Sequence, residues 1–249
     1  MKISIFFFPF PLLVIFLIIK TTIPGAYLYL ISEDSAMEYA QVIMCIISAV
    51  LSALIAKRFL NNKSAFLAVM YGLLAFGLLF ISLEEISWGQ RLFNINNPEY
   101  FDHHNLQNEI SLHNLDSVHP QLNKLYWFVG AFGGFGWLIL LMFTSKTKAE
   151  HQHILNYIIP DWFISPYFFF LFFFYFFYPL LDYFSAYFIS IGLEKLCIGN
   201  FLLWRDQEVG ELLLYMGFLI FTAYNFLRLG YSSPTTLNTT DKTISFKEW

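Results

Sequence analysis

The sequence predicts an all-α polytopic transmembrane helical bundle, and three observations carry that reading. Apolar residues make up 57% of the 249 residues and charged residues only 13%, against roughly 25% charged in soluble domains. Apolar runs recur at about 20 residues, the length that crosses a hydrocarbon core of about 30 Å. Aromatic residues reach 21%, with 31 phenylalanines, a load that a lipid-facing helix carries at little cost. The net charge of -4 is spread along the chain, so there is no basic footprint for nucleic acid. Cys45 and Cys197 are too far apart in sequence to form a CxxC motif, and they give no disulfide signal.

Six spans follow in order. The first apolar segment, 3–31, contains Pro9, Pro11, Lys20, Pro24 and Gly25. Its opening has the charge-then-apolar pattern of a secretory leader. No small-x-small cleavage site precedes Glu33, so it reads as a retained, kinked span. After the acidic turn SEDSAME comes the second span, 39–56, and then the basic connector 57–63. The third span is 65–83, where Gly72 and Gly77 would let a neighbouring helix approach closely. The fourth, 125–143, carries a GxxxG pair, Gly130 and Gly134, expected at a tight helix contact.

The fifth span, 158–181, holds the block YFFFLFFFYFFYPL, expected to be a lipid-facing or packing surface. Residues 182–204 are interrupted by Gly192, Glu194, Lys195 and Gly199, and they read as a re-entrant or interfacial helix. The sixth span is 211–229. Residues 1–230 thus form one transmembrane domain with a loop at 84–124, and 231–249 form a polar Ser/Thr-rich tail. When six spans are threaded, Lys2, Lys57, Arg58, Lys63, Lys146, Lys148, Arg228, Lys242 and Lys247 fall on one side. The positive-inside rule then places both termini in the cytoplasm of a multi-pass cell-membrane protein, with the loop outside.

The polar stretch 84–114, EEISWGQRLFNINNPEYFDHHNLQNEISLHN, is where chemistry would have to sit in so apolar a chain. If the third helix continued past the lipid boundary, Glu84, Ser87, Trp88 and Arg91 would share one face at i, i+3, i+4 and i+7. Glu109 and His113 are spaced i, i+4, which on a helix lets both bind one cation. Arg205, Glu208 and Glu211 make an i, i+3, i+6 stripe, with Tyr215 one turn deeper. Carboxylates at a helix centre in lipid cost about 2.5 to 3.5 kcal/mol each, and less at the boundary. Several pointing inward require a counter-charge, which a divalent metal such as zinc or the two arginines would provide.

The expected metal ligands are Glu85, Glu109 and His113. The expected catalytic groups are Glu84, Glu85, Glu208 and Glu211, with Arg91 as a phosphate or headgroup clamp. The alternative for each boundary glutamate is a solvated helix-end charge. His103, His104 and His119 read as surface residues, and His151 and His153 fall on the opposite side. There is no HExxH, HxxxH or GxSxG motif and no P-loop, and no histidine lies within a span to ligate a buried haem.

The blocks LEEISWGQRLF and NLQNEISLHNL, within 83–115, resemble a recurring signature of uncharacterised bacterial polytopic membrane proteins. A looser match surrounds Glu208 and Glu211. The matching positions are Glu84, Glu85, Trp88, Gln90, Arg91, Gln107, Glu109, His113 and Asn114, and the resemblance carries no assigned activity. From the residues, the expectation is a membrane-embedded enzyme acting on a lipid or lipid-linked substrate at the outer leaflet, by metal-assisted or acid/base chemistry. The rival is a non-catalytic small transporter, channel subunit or ligand-binding membrane partner, its carboxylates ringing a pore mouth.

Overall fold

The computed structural model describes residues 1–32, 34–105, 109–143, 149–191 and 206–231. These are helical, with no strand among them. The first segment is a kinked helix, as its prolines predict. α1 (Lys2–Phe7) and α2 (Pro9–Thr22) run on through Phe8, while Ile23 leaves the helical region (φ -136°, ψ 66°) before α3 (Pro24–Leu30). Proline disfavours the helical conformation in the residue before it and is tolerated at the first helical position.

α4 (Ala36–Asn61) starts on Ser35, whose Oγ accepts the Glu38 N–H at 3.3 Å, and it is followed by α5 (Ala65–Glu85). Two short helices, α6 (Gln90–Phe93) and α7 (Glu99–His104), lie in the loop before α8 (His119–Phe143). Then come α9 (Ala149–Ile158), α10 (Ser165–Ser190) and α11 (Gln207–Tyr231).

Five helical stretches, Lys2–Thr22, Ala36–Asn61, Ala65–Glu85, His119–Met142 and Gln207–Gly230, are long and apolar enough to cross a bilayer. The chain is an integral membrane protein. α10 has 26 residues and rises about 39 Å at 1.5 Å per residue, so it runs beside them through Pro179. This corrects two boundaries. The fifth span begins at Ser165 rather than at 158, behind a turn at 159–164, and residues 182–190 continue α10 instead of opening a separate re-entrant helix. Residues 192–204 of that expected element lie outside the described residues.

α4 packs between α5 and α11, and α10 between α11 and α8. Gly130 and Gly134 allow the α8–α10 contact, as their spacing predicts. A Cβ at Gly130 would lie 2.6 Å from the Phe172 backbone nitrogen, and one at Gly134 would lie 3.1 Å from the Phe169 Cα. Gly72 and Gly77 do not do this work. Open space surrounds both, because the partner of α5 is α4, on its other flank.

On α10 the inward stripe is Tyr167, Phe168, Leu171 and Tyr175, while Phe169, Phe173 and Phe176 face outward. α1 packs Phe6 against Trp162 in the turn before α10, and α2 packs Phe10 against Phe170 of α10. At the other end of α2, Lys20 pairs with Asp206, and the Tyr27 hydroxyl donates to the same carboxylate at 2.6 Å. The basic end of the bundle is tied separately. Arg58 donates to the Phe226 carbonyl and stacks 4.0 Å from its ring, and Arg228 donates to the Asn156 carbonyl.

Candidate functional site

The site forms where α5 stops. Ser87, Trp88 and Gly89 take left-handed φ values of 48°, 55° and 77° in succession, so α5 cannot continue past Glu85. The expected face of Glu84, Ser87, Trp88 and Arg91 therefore does not form. Non-glycine residues in this region cost about 1–3 kcal/mol each and persist only where the surroundings over-determine them. Here the Ser87 hydroxyl donates to Glu109 Oε2 at 2.5 Å and the Trp88 indole N–H donates to Glu84 Oε1.

The segment 109–118 folds back over the mouth of the bundle and is held by two buried carboxylates. Glu84 Oε2 accepts the backbone N–H groups of Leu112 (2.6 Å) and His113 (3.0 Å), and it faces His113 Nδ1 at 3.3 Å. Glu109 Oε1 accepts from the Ser111 hydroxyl at 2.8 Å and the Asn114 amide at 2.7 Å. Gln90 Oε1 accepts the Ile110 N–H at 2.5 Å, and the Asn105 amide donates to the Ser111 carbonyl at 2.8 Å. Charge-assisted bonds of this kind are about twice as strong as neutral ones, and they hold the loop together with the buried Leu115 side chain.

Beneath this loop lies a cavity of about 60 Å³, lined by Glu38 of α4, Glu85 of α5, Glu109, His113 and Asn114 of the loop, His119, Leu122, Asn123 and Tyr126 of α8, Tyr175 of α10, and Gln207, Glu208 and Glu211 of α11. At about 10–15 Å³ per water, it accommodates four to six waters or a small polar group. Glu85 Oε1 accepts the Tyr215 hydroxyl at 2.8 Å. Glu211 accepts from Tyr175 through Oε1 and from Tyr126 through Oε2 at 3.5 Å, and the two tyrosine rings stand 4.9 Å apart.

His113 lies outside the membrane-spanning segments. Burial disfavours its charged form, but the bond to Glu84 and the charges of Glu85 and Glu109 outweigh burial and raise its pKa above the ordinary imidazole value. Glu84 thus orients the ring through Nδ1 and leaves the cavity-lining imidazole able to exchange protons.

Of the residues singled out from sequence, Glu84, Glu85, Glu109, His113, Glu208 and Glu211 come together. They divide by role, since Glu84 and Glu109 hold the loop while Glu85, Glu208 and Glu211, with Glu109 at the edge, line the cavity. The expected metal ligands Glu85, Glu109 and His113 all line the cavity. Among the described residues no group of three or more His, Cys, Asp or Glu is arranged for a metal ion. The helix that would have put Glu109 and His113 on one face is absent, and the Glu109 oxygens accept from hydroxyl and amide donors instead.

The Arg91 side chain and all of Arg205 and Glu194 lie outside the described residues. His103 and His104 are exposed on α7, as expected. His119 is not a surface residue, because it opens α8 against the cavity. His153 packs on Tyr157 away from the site.

Sequence reasoning missed Tyr126 and Tyr175. A signal was present for Tyr175: within a run of phenylalanine at membrane depth, a tyrosine hydroxyl requires a partner. No protein-family model, no curated protein and no solved structure matches the chain.

Proposed function

We propose that the protein is a membrane-embedded acid/base enzyme that processes the polar end of a lipid or lipid-linked substrate at the boundary of the bilayer. His113 acts as proton donor, and Glu85, with Glu211 beside it, as proton acceptor. The observation that carries this reading is the Glu84–His113 pair at the edge of a cavity that Glu85 and Glu211 also line. A carboxylate that fixes the ring through one nitrogen leaves the other for the reacting group. The tyrosine hydroxyls on Glu85 and Glu211 hold those carboxylates in fixed positions, so little reorganisation accompanies proton transfer. The concentration of basic residues at the far end of the bundle favours an outer-leaflet site.

The test is turnover of a mixed polar-lipid extract by the purified protein in nanodiscs, followed by mass spectrometry. His113→Asn and Glu85→Gln should each lower the rate by about 10²–10⁴-fold, the usual contribution of a positioned acid or base. Parent rates in both folded variants, or no lipid consumed by the parent, would defeat the enzymatic reading in favour of a non-catalytic binding role.

A further inference from the structure

A second void lies along the same seam of the bundle. It is a groove of about 230 Å³ lined by apolar side chains, among them Leu74 of α5, Val129 and Phe132 of α8, Phe168 of α10 and Phe218 of α11. Helical periodicity sets it below the acidic cavity. On α8, Leu122 and Tyr126 line the cavity and Val129 and Gly133 line the groove, spaced i, i+4, i+7 and i+11 along one stripe. On α11, Glu211 and Phe218 are seven residues apart, and on α5, Leu74 and Glu85 are eleven apart, so both pairs again share a face. From Glu211 to Phe221, at the far end of the groove, α11 rises about 15 Å, which is half the hydrocarbon thickness and so the depth of one leaflet.

We propose that cavity and groove together bind a long-chain amine, its ammonium among Glu85, Glu208 and Glu211 and its single aliphatic chain in the groove between α5 and α8. This names the substrate class for the acid/base site above and rests on that reading. Charge supports the amine. Five carboxylates and two imidazoles line the cavity, so a phosphate or carboxylate headgroup would be repelled where a cation is attracted. Size agrees, because a void of about 60 Å³ takes an ammonium with a few attached atoms. The neighbouring faces of Tyr126 and Tyr175 are the aromatic surfaces on which ammonium groups settle. Lipid tails are as apolar as the groove, so it adds little affinity over the bilayer. Its effect is on chain direction and length, while the headgroup supplies selectivity.

The experiment uses the protein in phosphatidylcholine nanodiscs with hexadecylamine carrying a diazirine at its far carbon, and the labelled peptides are mapped after illumination. The label should fall on α8 near Val129 and Phe132 and on α5 near Met70 and Leu74. Glu211→Gln should reduce it at least about 10-fold, and so should Val129→Trp, which fills the groove without touching a carboxylate. The matched diazirine-bearing hexadecanoic acid should label these peptides no more than it labels the lipid-facing surface of α2.

Labels spread over α2 and the outer faces of the bundle, equal labelling by the acid, or indifference to both substitutions would overturn the proposal. Labelling needs no turnover, so the two readings fail separately. Scattered label with turnover still lost in His113→Asn sinks the amine alone. Groove label with turnover unchanged in that variant sinks acid/base catalysis and leaves the binding site.

Discussion

Adjacent residues on a helix point about 100° apart, and at the end of α5 that angle separates two carboxylates into different tasks. Glu84 turns into the loop, where it accepts the Leu112 and His113 N–H groups. Glu85 turns into the cavity toward Tyr215. The pair was legible in the sequence as two charges at a lipid boundary. The division was not, because it depends on Ser87 and Trp88 entering the left-handed region, which no local propensity of those residues predicts.

The ion pair of Glu84 and His113 has a pH signature. The folded-state pKa of His113 is raised, so its contribution to stability is complete below the unfolded value of about 6.5. That contribution is lost as pH rises through the higher folded value. The melting temperature of the parent in nanodiscs should therefore exceed that of His113→Gln by the widest margin near pH 6, and the margin should shrink as pH rises from there. A margin that grows with pH would contradict the assignment of the protonated ring to the folded state.

Among the elements, α8 and α10 show how far spacing alone can be read. The Gly130 and Gly134 pair predicts a close contact and makes one, while Gly72 and Gly77 suggest another on α5 and meet open space. A small residue permits close approach but does not attract a partner, so the sequence states where a neighbour could come and not whether it does. Gly130→Ala should destabilise the protein by about 1–3 kcal/mol, since the added carbon meets the backbone of α10 and overpacks the interface. Gly77→Ala should leave stability unchanged or raise it by up to about 1 kcal/mol, through better helix propensity. Thermal unfolding of the two variants side by side decides this, and equal losses would mean that α8 and α10 are not in contact.

α10 also continues through an internal proline, Pro179. Inside the bilayer there is no competing water for the carbonyl that proline frees, and the helix passes through it to Ser190.

At the scale of the whole molecule, the recurrence of apolar runs made the helical bundle legible, because each span must satisfy its backbone within itself. The cavity was less so. It draws Glu38, Glu85, His113, Tyr126, Tyr175 and Glu211 from six different parts of the chain, and their convergence depends on the packing order α5, α4, α11, α10, α8, which periodicity does not encode. The two ends of the bundle differ in character, with Arg58 and Arg228 at one and the acidic cavity at the other. The positive-inside rule translates this into sides. In a chain with Cys45 and Cys197 replaced by alanine, a cysteine at Asn96 should react with a membrane-impermeant maleimide on intact cells, and one at Asn62 only after permeabilisation. Reaction of both from the same side would break the crossing of α5.

Among the five candidate spans the first, residues 2–22, has the smallest buried share. Yet α2 contributes the ammonium of Lys20 to a nearly buried Asp206, beside the start of the helix that carries Glu208 and Glu211. A carboxylate stranded in such surroundings by loss of its cation typically destabilises a protein by about 3–5 kcal/mol. The least buried of the candidate spans thereby acts as an outrigger that keeps the acidic mouth in register.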